Sequence, residues 1–122
     1  MRISALAILA LPILLAACEI TPRQQCEAPY RAELRTVDAE IRDTREILRR
    51  GFRLVPARWE HGVHYCIERS GFVGLCTADD GLPMYDKRPI SRAAEQAKLS
   101  TLEAERQRLS RNIAQCAVQF PE

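Results

Sequence analysis

No run of twenty apolar residues occurs in the 122-residue sequence, and neither sign of charge dominates it. The first lack excludes a helix that stays in a membrane as a span, which needs ~20 apolar residues. The second, 18 basic residues against 16 acidic, disfavours electrostatic capture of nucleic acid. Catalytic signatures are missing as well. Ser70 and Ser91 have no nucleophile-elbow context. Asp79, Asp80 and Gly81 open no calcium loop, because the closing positions are Ile90 and Ser91. His61, His64, Cys66 and Cys76 hold zinc-type side chains, but at no zinc-finger spacing. The chain is therefore read as non-enzymatic, with no metal and no cofactor. Glycine is scarce, and all five glycines fall between positions 51 and 90, as do the single Trp and both His.

What is present begins with Arg2 and an apolar run to Ala17 broken only by Ser4 and Pro12, the pattern of a secretory signal. Fourteen of the first 17 residues are apolar, so the remainder suffices for one small core and not two domains. The run ends in Leu15, Ala16, Ala17 and Cys18, which resembles the lipobox of bacterial lipoprotein precursors. That resemblance implies removal of residues 1–17 as a signal peptide and lipidation of Cys18. Two or three acyl chains then anchor the protein to a membrane without spanning it. Glu19 stands where the family's inner-membrane retention signal has Asp, which favours the periplasmic face of the outer membrane. Residues 18–25 read as a lipidated linker and 26–122 as one domain. Beyond the leader, the layout and the ratio of 16 Arg to 2 Lys resemble only short uncharacterised lipoproteins of GC-rich bacteria.

Two helices flank the middle of the chain. Tyr30, Leu34, Val37, Ile41, Thr44 and Leu48 recur in steps of four and three through a charged segment, which predicts a helix over about 29 to 50 with Pro29 in its first turn and Gly51 just past its end. Its outer face offers Glu27 with Arg31, Asp38 with Arg42 and Glu46 with Arg50, each acid four residues before its base. After Pro89, with Ser91 as N-cap, a second seam runs through Leu99, Leu102, Arg106, Leu109, Ile113, Cys116 and Phe120. Laid antiparallel, the seams pair Tyr30 with Ile113, Leu34 with Leu109, Val37 with Arg106, Ile41 with Leu102 and Thr44 with Leu99. Arg106 is the one polar intrusion, a register device with Asp38, Glu40 or Glu33 as its counter-charge. Ala93, Ala97 and Ala104 offer a face on which the pair could dimerise; the sequence leaves the oligomeric state open.

That register chooses among the three ways of pairing Cys26, Cys66, Cys76 and Cys116. It sets Cys26 opposite position 117, so Cys26 joins Cys116 and Cys66 joins Cys76. In an oxidising compartment, disulfides also outcompete a zinc site. Between the helices, alternating Val63, Tyr65 and Ile67 with His64, Cys66 and Glu68 predicts a hairpin over about 63 to 77 turning at Ser70 and Gly71, which needs either Trp59, Phe52 or Phe72 packed against the helix ends or a third strand from about 52 to 60. The expected fold is α+β, an antiparallel two-helix hairpin ~33 Å long carrying a disulfide-stapled β-hairpin insert. Trp59, Tyr65 and Phe72 form the candidate interaction surface for an unidentified envelope protein. An alternative role is inhibition of a hydrolase such as lysozyme, suggested by size, location and cysteine use alone.

Overall fold

The first helix starts earlier than its apolar seam. In the computed structural model, which describes residues 20–121, α1 runs Pro22–Arg50 rather than from Pro29. Thr21 is the N-cap: its hydroxyl accepts the Gln24 N–H at 3.2 Å, and the Gln24 side chain accepts the Thr21 N–H at 3.0 Å. This reciprocal pair satisfies two donors that a helix start leaves open, and Pro22 sits where a missing N–H costs nothing. Pro29 lies inside the helix, where it removes one backbone hydrogen bond. Glu27 bridges that weak point, taking Arg23 Nε at 2.9 Å and Arg31 Nε at 2.7 Å along one helix face. Residues 22–25 thus belong to the helix and not to a linker. The C-terminus closes as expected, with Gly51 at φ 81° donating its N–H to the Ile47 carbonyl.

The remaining elements are β1 (Phe52–Pro56), β2 (His64–Ile67), β3 (Val73–Cys76), a short 3-10 turn (Ala78–Asp80), β4 (Met84–Pro89) and α2 (Arg92–Gln119). Ser91 caps α2 by accepting the Ala94 N–H. Helices of 29 and 28 residues span ~43 Å at 1.5 Å per residue, longer than the ~33 Å expected from the apolar seam because α1 gains two turns. The two helices pack along their length around Val37, Ile41, Leu99 and Leu109, with Tyr30, Leu34, Leu48 and Leu102 packed against that cluster. The disulfide Cys26–Cys116, Cα atoms 5.8 Å apart, and the Arg106–Asp38 ion pair at 2.7 Å each fall within one residue of the expected register.

Three side chains depart from the expected seam. Ile47 is more deeply buried than its neighbour Leu48, at the end where α1 runs into the sheet. Phe120 terminates α2 and is exposed. Arg106 is exposed at the rim of the seam, with its guanidinium on Asp38, so Asp38 serves the neighbouring helix and not Arg42. Arg45–Glu103 at 2.8 Å and Lys98–Glu40 at 3.8 Å add further links along the exposed edges of the pair. Such exposed pairs are individually worth little and act mainly on register.

The sheet is antiparallel with strand order β1-β4-β2-β3. The predicted hairpin and the third strand are present; β4 was not foreseen. It completes the ladder between β1 and β2, so the insert is a four-stranded sheet and not a hairpin alone. Cys66–Cys76 joins β2 to β3 diagonally, with Cα atoms 5.9 Å apart. The β2–β3 turn closes with Gly71 N–H on the Glu68 carbonyl and Gly71 at φ +83°, a three-residue loop that demands a left-handed last residue. Asp80 fixes the other turn by accepting the Thr77 N–H at 2.8 Å.

The helical seam contains one uncompensated polar atom: the Thr44 hydroxyl is fully buried and has no hydrogen-bond partner. Replacing Thr44 by Val removes that desolvation cost at nearly the same shape and is expected to raise stability by about 1 kcal/mol. Leu109→Ala empties a fully buried site at the centre of the cluster and is expected to cost about 3 to 5 kcal/mol. Denaturant midpoints of the two variants check both, and a destabilised Thr44→Val would mean that the hydroxyl is bonded in solution.

Candidate functional site

Residues directly paired across antiparallel strands share a face, so the register sorts every strand side chain. One face carries Arg53, Val55, His64, Cys66, Gly74, Cys76, Met84, Asp86 and Arg88; the other carries Phe52, Leu54, Tyr65, Ile67, Val73, Leu75, Tyr85 and Lys87. The first is polar with a disulfide in it. The second is apolar apart from Lys87, whose ammonium stands 4.3 Å from the Phe52 ring centroid. Neither helix packs across this sheet; α1 meets β1 where the chain joins them. The apolar face therefore remains open, with Ile67 43% and Leu75 70% exposed.

The polar face is organised by His64. Its Nδ1 lies 2.9 Å from Asp86 Oδ1 and its Nε2 lies 3.0 Å from the His61 carbonyl, so both ring nitrogens point at acceptors. Only an imidazolium can donate to both at once. The Asp86 carboxylate, and next the His61 carbonyl, hold the His64 pKa above its ordinary value, against burial acting the other way. Asp86 is held below the usual carboxylate range, first by His64, with help from the Arg58 backbone N–H. The result is a charged pair between β2 and β4 that also ties down the connection after β1, which has a further hydrogen bond from Ala57 N–H to the Met84 carbonyl at 2.9 Å.

The three aromatic residues singled out in the sequence do not form one surface. Tyr65 belongs to the apolar face, half-buried, its ring centroid 6.1 Å from that of Phe52. Trp59, 71% exposed, lies in the connection after β1 and shares a groove with Val55, Asp86 and Arg88. Phe72 stands in the β2–β3 turn, its ring beside Gly74 on the polar side. The strands that Trp59 and Phe72 adjoin are opposite edges of the sheet, ~14 Å apart at three strand spacings. Trp59 and Phe72 are both exposed and not packed on the helix ends. Phe52 does sit at that junction, with the Arg50 guanidinium 5.7 Å from its ring.

Three of the four candidate metal ligands are otherwise engaged. Cys66 and Cys76 are bonded to each other, which removes both thiolates, and both nitrogens of His64 have protein partners. Among the described residues no group of three His, Cys, Asp or Glu side chains could hold a metal ion. Of the basic cluster at the end of α1, Arg49 and Arg50 pair with Glu46, and Arg53 pairs with Glu95 of α2. Cys18, the expected lipidation site, lies outside the described residues. Within them no helix is long and apolar enough to cross a membrane.

Asp86 was missed because β4 was missed, although a histidine in the polar phase of Val63–Ile67 already called for an acceptor. The pair gives a signed pH dependence. His64 has a raised folded-state pKa, so its stabilisation is complete below the ordinary value of 6.5 and is lost as pH rises through the raised one. Asp86 has a depressed pKa, so its contribution is present above the ordinary value of 3.8 and is lost as pH falls through the depressed one. In a thermal-unfolding series, the stability lost on His64→Asn is expected to be largest between those two ordinary values and to shrink at alkaline pH. A loss independent of pH would contradict the charged pair.

Comparison of the chain with protein-family models, with curated proteins and with solved structures finds no match.

Proposed function

We propose that this chain is a lipid-anchored interaction protein of the bacterial cell envelope, held at the periplasmic face of the outer membrane through Cys18 and using the open apolar face of its sheet to hold an envelope protein. The observation that carries the reading is that face: Leu54, Tyr65, Ile67, Val73, Leu75 and Tyr85 aligned on one side of a sheet that neither helix covers. Ile67 and Leu75 stand exposed and the other four half-buried, and a contiguous apolar face left open to solvent on a small protein marks a contact site. Lys87 sets the partner's chemistry, an apolar patch with a carboxylate at its edge.

The helices supply the distance. Only Glu19 and Ile20 separate Cys18 from the Thr21 cap, so the anchor adjoins the end of the pair that Cys26–Cys116 staples. The sheet then stands ~43 Å along the helices from that end. Such a spacer suits a contact with a protein of the compartment rather than with the anchoring membrane. Two acyl chains or more suffice for stable attachment.

Mass spectrometry of the mature N-terminus is expected to show an acylated Cys18, and Cys18→Ala to abolish membrane partitioning; an unacylated start would sink the anchor. With a photo-crosslinking residue at position 75 in cells, one discrete protein adduct is expected, lost on Ile67→Asp with both disulfides intact. Adducts unaffected by Ile67→Asp would remove the apolar face from the proposal. Inhibition of lysozyme by the purified chain would instead establish the alternative role.

A further inference from the structure

A second site lies on the polar side of the sheet, and it is built around the only tryptophan. Between the end of β1, the connection that follows it and β4 is a groove of about 690 Å³ with Val55 and Pro56, Trp59, Arg58, Asp86 and Arg88 on its walls. This is within the size range of ligand sites, and it is open along one side. We propose that the groove binds an acidic glycan, a chain of pyranose units bearing carboxylates.

The charge balance of the groove comes first. Asp86 is its acid, but Oδ1 is taken by His64 at 2.9 Å and Oδ2 is approached by the Arg58 N–H at 3.5 Å. His64 is its nearest cation, with the Arg88 charge acting on it as well, and together they hold its carboxyl below the usual carboxylate range. Elsewhere in the molecule, Arg31, Arg45, Arg49, Arg53, Arg106 and Arg108 all have carboxylates within ion-pair distance. Among the described residues, the Arg58 and Arg88 guanidinium groups have none, as is also true of Arg35, Arg42, Arg69, Arg92 and Arg111, but Arg58 and Arg88 stand together in this groove. Glu60 follows Trp59 but does not line the groove; Lys87 does line it, with its ammonium 4.3 Å from the Phe52 ring centroid. Two guanidiniums in one groove, neither within ion-pair distance of a carboxylate and sharing a single acid that His64 already engages, form a receptor for an anion, and their planar forks match a carboxylate.

The second observation is the presentation of Trp59. An indole 71% exposed gains little from its own fold. Yet the segment that carries it is pinned on both sides, by Ala57 N–H on the Met84 carbonyl at 2.9 Å, by Arg58 N–H on Asp86, and by His64 Nε2 on the His61 carbonyl at 3.0 Å. The ring is thus held out on an ordered support, which lowers the entropy cost of stacking a ligand on it. The C–H face of a pyranose stacks on an indole, while ring hydroxyls and a carboxylate meet the guanidiniums. The open side suits a polymer passing through rather than an enclosed apolar molecule. Stacking with arginines also describes single-stranded nucleic acid, but the chain's balance of 18 basic to 16 acidic residues supplies no backbone-tracking field.

Trp59 is its own reporter. Titrating the full-length lipidated protein in detergent with oligogalacturonate, and separately with glycan strands whose amino sugars carry lactyl carboxylates, is expected to shift its fluorescence saturably with at least one. The two arms distinguish a uronate source from a lactyl-ether source. A neutral oligosaccharide of equal length is expected to bind at least about tenfold more weakly, as are Arg58→Gln and Arg88→Gln towards the acidic probe, a factor of ten being about 1.4 kcal/mol. Ile67→Asp, on the other face, is expected to leave glycan binding unchanged, so this proposal and the protein contact fail separately. Equal binding of the neutral chain, tighter binding of oligo-dT than of either glycan, or no spectral response to either acidic probe would each overturn it. Near-ultraviolet circular dichroism and peptide mapping of both disulfides confirm that the arginine variants are folded.

Discussion

The antiparallel closure of α1 on α2 is the constraint from which the rest of the molecule follows. It brings Gly51 and Ile90, the two ends of the insert, to the same end of the pair. Chain leaving one helix and chain entering the other then lie side by side in opposite directions, which is the geometry of a β-ladder. Phe52 accordingly faces Pro89 and the pairing runs on to Pro56 and Tyr85. The far end of the pair is closed by Cys26–Cys116, which spans 90 positions and by chain-entropy reasoning removes about 4.6 kcal/mol of unfolded-state freedom. Seam, staple and sheet base are one loop of mutual support.

Above that base the sheet has no helical layer, so it cannot draw stability from helix packing on either face. What replaces the missing layer is local. Cys66–Cys76 fastens the outer hairpin, contributing about 2.8 kcal/mol on the same reasoning. His64 and Asp86 connect β2 to β4, and the connection after β1 folds back onto them. Arg53 reaches Glu95 in the first turn of α2, an ion pair that joins the sheet to the helices and suits the helix dipole's preference for acid there. Cross-links and polar pairs thus do in this sheet what an apolar layer does in a larger domain.

The parts legible in the sequence are those governed by burial. Alternating steps of four and three read out the helix pair because a seam centred on Val37, Ile41, Leu99 and Leu109 is taken out of water, and the register of that seam was enough to pair the cysteines. The hairpin was legible from the alternation of Val63 to Ile67 and from the glycine its turn requires. β4 was not, because Met84-Tyr85-Asp86-Lys87-Arg88-Pro89 is only partly buried: its apolar neighbours lie on an open face and its acid has one specific partner 22 positions away. Pattern reading detects removal from water, and this strand is fixed by hydrogen bonds and individual charges. The helix start was misplaced for the same reason, since Thr21 and Gln24 define it by capping, seven residues ahead of Pro29.

Arginine is distributed according to the same division. Along the helices its positive charge is largely matched, within a helix by Glu27, Glu46 and Glu105 and between helices by Asp38 and Glu103, leaving a stalk whose charges are mostly spent on itself. On the sheet the matching is partial. Arg53 is paired, while Arg58 and Arg88 share one nearby acid, Asp86, that His64 already engages. Arg35, Arg42, Arg92 and Arg111 on the helices also lack a carboxylate, but Arg58 and Arg88 lie together in one groove. The unmatched charge and the exposed indole coincide in one groove, while the apolar surface lies on the reverse of the same sheet. The sheet therefore offers two chemically different faces at the end of a rod whose own surface offers little to either kind of ligand.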